Sequence, residues 1–284
     1  MGYKDNEYGR LRKILLCKPD YFEWEKINEV AKKNLSENPA KFDAKVAAAE
    51  HNELADALRS ADVDVRFITP SKPHHYMVYT RDIGKNVGDG VLMGRFRLPV
   101  RMGEDDLAED YIRKSGFPVY GKIECGSIEG GDMHFIDPHT LCVGVGARSS
   151  LEGVASAQKL MDRFGVQVVP VDFDYKYLHL DLLFVIVADK VCLACEVGLP
   201  EAFEKMMKDR KFDIIRVSEQ EAMELKCNVL SLGDGRVLSS KGNDNVNAAL
   251  KARGFEVYDP SLSMFTLGGG GPRCLTFPLE RDQV

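Results

Sequence analysis

Short apolar runs and amphipathic stretches alternate along the chain, and the alternation repeats. The first apolar run lies in Tyr8-Gly9-Arg10-Leu11-Arg12-Lys13-Ile14-Leu15-Leu16-Cys17, a predicted strand that ends at Pro19. From about Pro39, small and apolar residues run through Ala44, Val46 and Ala47 to Leu58, predicting a long helix. That helix leads into Val63-Asp64-Val65-Arg66-Phe67-Ile68, whose period of two predicts a strand. The same passage recurs after Ile112-Arg113-Lys114-Ser115-Gly116, after Met161-Asp162-Arg163-Phe164-Gly165, after Met207-Lys208-Asp209-Arg210-Lys211 and after Leu250-Lys251-Ala252-Arg253-Gly254. Each time, basic residues near a helix end, often with a glycine, precede a short alternating strand.

Between these passages stand hairpin signals. Gly88-Asp89-Gly90, Asp137-Pro138-His139, Ala188-Asp189-Lys190 and Gly233-Asp234-Gly235 each place turn residues before an apolar strand. The module therefore reads strand, turn, strand, helix, strand, with a period of roughly 45–50 residues. A fifth hairpin would form by pairing residues 275–279 with residues 11–16. The expectation is an α/β fold: a five-module, pseudo-fivefold α/β propeller of strand-strand-helix-strand units around a central channel, with residues 1–284 as a single domain. An open mixed sheet is the alternative arrangement.

Composition narrows the function. The chain has 284 residues, 44% hydrophobic and 29% charged, with a net charge of −6, which argues against a nucleic-acid-binding surface. No apolar run reaches the roughly 18 residues of a membrane span. Residues 1–5 lack an apolar signal core. Seven cysteines without a secreted-type framework suit a reducing cytoplasm. Cys192 and Cys195 form a CxxC inside a predicted strand, where they read as packing residues rather than metal ligands. A homo-oligomer is compatible with the sequence, which does not fix the number of subunits.

The hairpin strands carry polar residues at recurring places: Arg81-Asp82, Glu129-Gly130-Gly131-Asp132, His179-Leu180-Asp181, Asn228 after Cys227, and Cys274 after Gly268-Gly269-Gly270-Gly271-Pro272-Arg273. Singly, these are a solvated pair, a turn, a structural histidine, a strand-end residue, and a cysteine after a flexible glycine run. Recurring with the repeat, they would converge on the axis of a closed ring. A thiol and an imidazole make a nucleophile and proton-transfer pair. A metal competes for such residues, yet no short His-x-x-x-His or paired-Cys chelate is present. A lone thiolate among hard carboxylates suits no common metal well, so neither metal nor organic cofactor is expected. Four carboxylates (Asp82, Glu129, Asp132, Asp181) would weaken the thiol unless the ligand is cationic. A planar guanidinium answers that, because it pairs bidentately with carboxylates and favours the thiolate as it binds.

Thr80-Arg81-Asp82, Glu129-Gly130-Gly131-Asp132, His179-Leu180-Asp181 and Gly-Pro-Arg-Cys274, in this order, resemble the guanidino-group-modifying superfamily. Arginine deiminases, dimethylarginine dimethylaminohydrolases and amidinotransferases belong to it. The resemblance runs from Gly9 to Leu279 and implies the five-module propeller. It further implies Cys274 as nucleophile on the guanidino carbon, His179 as general acid then base, and Glu129 orienting His179 and the substrate group. Asp82 and Asp181 would hold the guanidinium nitrogens of a small-molecule substrate, and Asp132, Arg81 and Asn228 would support them. Arg148 stands where deiminases bind the substrate α-carboxylate; Arg97 and Arg101 are further candidates for that anchor. The resemblance implies hydrolysis of arginine or a close derivative, to citrulline plus ammonia or an amine. His-Leu-Asp favours the deiminase side, whereas the chain lacks room for the extra helical insertion of deiminases. A dimethylarginine hydrolase, an amidinotransferase and a binding protein without turnover are the alternatives.

Overall fold

Each module of the repeat folds into its own three-stranded sheet. The computed structural model describes residues 6–284; residues 1–5, which include the segment lacking a signal core, lie outside them. In chain order the strands are β1 (Leu11–Cys17), β2 (Asp64–Ile68), β3 (Gly84–Val87), β4 (Gly90–Met93), β5 (Val119–Lys122), β6 (Met133–Asp137), β7 (Thr140–Val145) and β8 (Gln167–Asp172). They continue with β9 (Phe184–Ala188), β10 (Val191–Ala194), β11 (Asp213–Arg216), β12 (Leu230–Gly233), β13 (Arg236–Leu238), β14 (Glu256–Tyr258) and β15 (Phe277–Arg281). The sheets are β15-β1-β2, β3-β4-β5, β6-β7-β8, β9-β10-β11 and β12-β13-β14.

In every sheet the first two strands are antiparallel and the third joins parallel to the second. A parallel third strand requires a crossover, and a helix supplies it. The crossover helices are α2 (Ala44–Ser60), α3 (Glu104–Lys114), α4 (Leu151–Met161), α5 (Glu201–Asp209) and α7 (Asp244–Ala252). Shorter α1 (Glu29–Glu37), α6 (Glu219–Met223) and α8 (Ser263–Leu267) lie in connections. The sequence signals act as read. Gly116, Gly165 and Gly254 follow the helices with φ of 84°, 65° and 85°, a region glycine enters at little cost. Asp234 and Gly235, both at positive φ, form the tight β12–β13 turn.

Three details differ from expectation. The helix foreseen from Pro39 begins at Ala44, because the Asp43 side chain accepts from the Lys45 and Val46 N–H groups and caps it there. The polar motif residues are not within strands: Thr80–Ile83, Gly130–Asp132 and Leu180–Leu182 are 3-10 turns just ahead of β3, β6 and β9. Such turns satisfy their backbone locally, as in Asp132 N–H to Glu129 C=O, so the side chains need not obey the pleat. Finally, β15 starts at Phe277 rather than Leu275, since Leu275 N–H bonds Gly271 C=O and Thr276 N–H bonds Arg273 C=O in a turn. The β15–β1 pairing itself forms as anticipated, with Leu15 opposite Phe277 and Ile14 opposite Pro278.

Burial falls from the first strand of a sheet to the third. β3 and β12 are buried throughout, whereas β5 is half-buried and β8 alternates toward solvent. First strands also meet one another: Asn86 Nδ2 donates to Leu279 C=O at 3.1 Å, Ser231 Oγ to Val187 C=O at 2.7 Å, and Arg281 Nη2 to Ser231 C=O at 2.8 Å. Cys192 on β10 and Cys195 just beyond it are fully buried among Phe184, Phe203 and Met207, as packing residues. Among the described residues no helix is long and apolar enough to cross a membrane.

Candidate active site

The 3-10 turns at the strand starts bring the recurring polar residues together. Cys274, in the turn before β15, is 3% exposed and opens into a small cavity that Asp82, His179, Arg101, Arg148, Tyr76 and Tyr79 also line. The first turn meets the fifth directly: Arg81 N–H donates to Cys274 C=O at 3.0 Å and Arg81 Nε to Arg273 C=O at 3.3 Å. Asn228 supports the Cys274 backbone from the fourth module. Its Oδ1 accepts from the backbone N–H of Arg273 at 3.1 Å and of Cys274 at 3.2 Å.

His179, 1% exposed, binds Glu129 Oε2 through Nε2 at 2.9 Å and turns Nδ1 toward Asp82 Oδ1 at 3.8 Å. Asp132 holds this turn in place: Oδ1 accepts from Leu180 N–H at 2.8 Å and Oδ2 from Ser149 Oγ at 2.5 Å. Burial disfavours the imidazolium, but Asp82, Asp132 and the Glu129 hydrogen bond outweigh it and raise His179 to about 9. Burial likewise works against the Glu129 carboxylate, and Arg148 and His179 overcome it, so Glu129 stays below the usual range. Burial pushes Asp132 up to about 7 against the opposing pull of His179, Ser149 Oγ and the Leu180 N–H. The Cys274 thiol is raised well above its ordinary value by burial and then by Asp181 and Asp82.

Asp181 is fully buried and neither of its oxygens has a hydrogen-bond partner; Arg273 Nε approaches Oδ2 at 3.6 Å. Asp82 Oδ1 is also unpartnered, while Oδ2 accepts from Arg101 Nη1. The three foreseen arginines part ways. Arg148 is buried beside the cavity and engages Glu129 through Nη1 at 3.3 and 3.4 Å. Arg101 also reaches the cavity, but its guanidinium is already held by Asp82, by Glu104 at 2.8 Å and by the carbonyls of Tyr76 and Tyr79, and it lies 4.3 Å from the Phe96 ring. Arg97 does not join the cluster: it is exposed and donates to Ala147 C=O at 3.3 Å. It sits beyond the end of β4 at Met93.

Donor atoms of Asp82, Glu129 and His179 lie within 4.8 Å of one another, close enough to hold a metal. Arg101 on Asp82 and Arg148 on Glu129 place two guanidinium charges at the same carboxylates, which opposes a dication there.

The glycine run is pressed from both sides. A Cβ on Gly270 would come 2.2 Å from the Tyr79 ring and one on Gly271 2.7 Å from Asn228 Oδ1, while Gly269 sits at φ +95°. Gly269 and Gly270 also line the cavity. Bare backbone is therefore required by protein neighbours as well as by the cavity.

Residues 18–281 match the family model described as N,N dimethylarginine dimethylhydrolase, eukaryotic. The chain belongs to this family, and with it to the guanidino-group-modifying superfamily. YkgA of Bacillus subtilis, itself uncharacterized, is 33% identical over 98% of this chain and 94% of its own length. Among solved structures, the N-terminal domain of the cyanobacterial arginine dihydrolase ArgZ, bound to product, superposes with a TM-score of 0.84 at 24% identity, covering 95% of this chain and 97% of that one. Dimethylarginine dimethylaminohydrolase from Pseudomonas aeruginosa, in complex with citrulline, gives a TM-score of 0.80 at 21% identity over 94% and 99% of the two chains. These structures share the α/β fold of this protein. The family and its homologues are amidinohydrolase-type enzymes acting on guanidino groups.

Several residues at the site escaped sequence reading. Glu104, fully buried, neutralises Arg101 from three positions on, a spacing that joins residues around the start of α3. Burial raises its carboxyl to about 7 despite that partner. Tyr76 and Tyr79 wall the cavity, their rings 6.1 Å apart, and Tyr79 is stapled by its hydroxyl to Phe265 C=O at 3.1 Å. Tyr79 could have been suspected from its place directly before Thr80-Arg81-Asp82; nothing local marks Tyr76.

Proposed function

We propose that this protein hydrolyses the guanidino group of arginine or a close arginine derivative through a covalent bond to Cys274, giving citrulline plus ammonia or an amine. The observation that carries this reading is a pair of buried carboxylates near Cys274: Oδ1 of Asp82, on the wall of the cavity, is free of hydrogen bonds among the described residues, and so are both oxygens of Asp181, which acts on the Cys274 thiol and has only Arg273 Nε near it at 3.6 Å. Buried acceptors without donors are costly, and a guanidinium brings N–H groups on both of its edges. Two such carboxylates favour an unsubstituted guanidinium, since each methyl group removes a donor. The family description favours a methylated one, and turnover of the two substrates decides between them.

The chemistry follows from the charges. An arriving guanidinium offsets Asp82 and Asp181, the carboxylates that hold the Cys274 thiol up, and so favours the thiolate, the thiol proton passing to solvent. The thiolate attacks the guanidino carbon to give a tetrahedral adduct. His179, protonated at neutral pH, gives its proton to the departing nitrogen as the C–N bond breaks, leaving an amidino-thioether. Neutral His179 then takes a proton from water, whose oxygen adds to the same carbon and displaces the sulfur. Arg148 is the anchor we assign to the substrate carboxylate, because among the described residues only its Nη1 is engaged.

We also infer that the five sheets close into a ring as one domain, with first strands innermost and the site on the axis. The contacts β15–β3, β12–β9 and β15–β12 support this order. The reading is tested by measuring citrulline and ammonia from arginine, methylarginines, agmatine and guanidinoacetate, with and without glycine as acceptor. Absence of turnover on all of them overturns it, and amidino transfer to glycine replaces it with the transferase reading.

A further inference from the structure

Asn228 is fully buried, yet only half of its amide is used. Oδ1 accepts two backbone N–H groups, from Arg273 and Cys274, and this double acceptance fixes which end of the amide is oxygen. The other end, Nδ2, is buried with no hydrogen-bond partner among the described residues. The amide cannot turn to satisfy it without releasing both N–H groups. Nor can it withdraw: Gly271 packs so closely that a Cβ there would lie 2.7 Å from Oδ1 and 3.1 Å from Cγ. A buried donor held unpaired beside a nucleophile calls for an acceptor that forms during the reaction.

We propose that Asn228 is a positioning residue with two joined actions: Oδ1 clamps the Arg273–Cys274 backbone, and Nδ2–H donates to the Cys274 thiolate once it forms. This rests on Cys274 being the nucleophile and adds the group that receives its charge on the side away from the substrate. The clamp fixes where the sulfur can swing, and the donor rewards the ionised form at that place. Among the influences on the Cys274 thiol, the Asn228 side chain and the Gly271 N–H are those that favour ionisation, against burial, Asp181 and Asp82. A methionine or leucine at this position would leave the sulfur facing two carboxylates with one fewer compensating donor.

The test is the pH dependence of alkylation by iodoacetamide, followed by mass at the Cys274 peptide because exposed Cys125 also reacts. Two readouts separate the roles: the midpoint pH of the rate and the rate at its upper limit. Asn228→Ala is expected to raise the midpoint by about one pH unit or more, in line with loss of one hydrogen bond to a charged group. A residue that only clamps the backbone would lower the limiting rate and leave the midpoint where it is, and that result overturns the proposal. If Asn228→Ala does not fold, Asn228→Asp keeps an oxygen for both backbone N–H groups while removing the donor; an unchanged midpoint there overturns it equally. Turnover by Cys274→Ser reports separately: if that variant still makes citrulline, the nucleophile reading fails. If it is inactive while the Asn228 midpoints match wild type, only the present inference fails.

Discussion

Cys192 and Cys274 are both buried thiols, and burial is the leading reason that each is hard to ionise: Cys192 is raised to about 12 and Cys274 well above its ordinary value. Their surroundings nevertheless differ in kind. Cys192 lies on β10 between Ile186 of β9 and Ile214 of β11, fully buried in an apolar core. Cys274 has a cavity in front of it, two carboxylates beside it, and an amide and bare glycine backbone behind it. The first thiol is disfavoured first by burial and then by Asp213 and Glu196, carboxylates already paired with Arg253 and Arg216. The second is disfavoured partly by charges that an incoming cation can cancel. A high resting pKa therefore does not distinguish an inert cysteine from a nucleophile; what distinguishes them is whether the cause can be removed by the substrate.

The largest effect that could break this contrast is loss of the sulfur itself. Cys274→Ser is expected to lower citrulline formation by more than about 10³-fold with the melting temperature within a few degrees of wild type. Measured turnover near the wild-type rate would return Cys274 to the same class as Cys192. Next in size are the carboxylates that make the Cys274 site reversible. Asp181→Asn is expected to reduce kcat/KM by about 10²-fold, because it removes charge and substitutes a donor where the guanidinium needs an acceptor. The same variant should make Cys274 easier to alkylate in the absence of substrate, since one charge opposing the thiolate is gone. Faster alkylation with slower turnover is the signature; slower alkylation would contradict the electrostatic account.

The two cysteines also show how much the sequence disclosed. The modules were legible because their signals are local: basic residues and a glycine at helix ends, turn residues in hairpins. The candidate site residues were picked out through recurrence, as Asp82, Glu129, His179, Asn228 and Cys274 stand at matching places in successive modules. What stayed hidden depends on contacts between distant segments. Asn228 meets Cys274 across 46 positions, and Tyr79 reaches Phe265 across 186. Arg97 and Arg101 were indistinguishable in one short loop, yet the fold buries Arg101 against Glu104 and Asp82 and leaves Arg97 outside. Local pattern sets which residues could meet, whereas backbone path decides which do.

A smaller effect concerns His179, whose charge is sustained by Asp82, Asp132 and Glu129, the first of which also weakens the thiol. Its folded-state pKa of about 9 lies above the 6.5 of a free histidine. The group therefore adds stability that is fully present below about pH 6.5 and is lost as pH rises through about 9. Replacing it by glutamine should cost more stability at pH 6 than at pH 9.5, by up to about 3 kcal/mol for a shift of this size. Urea denaturation of both proteins at the two pH values measures the difference. An equal cost at both would mean that the imidazole is not charged in the folded protein and cannot serve as the acid.

The smallest expected effect falls on Cys192, and it sharpens the comparison from the other side. Cys192→Ala removes a sulfur from a packed core, so it should lower stability by about 1 kcal/mol through lost contacts and a small cavity. Because Cys192 belongs to the sheet of the third hairpin, whose first strand follows the turn carrying His179 and Asp181, a strain transmitted along β9 could in principle reach the site. The close packing of Phe184, Phe203 and Met207 around that sheet limits such movement. Turnover should then remain within about twofold of wild type while the denaturation midpoint falls. A loss of activity comparable to that of Asp181→Asn, with the fold intact, would show that the packed thiol and the reactive one are coupled through β9, and that the division between an inert core and a responsive site is drawn in the wrong place.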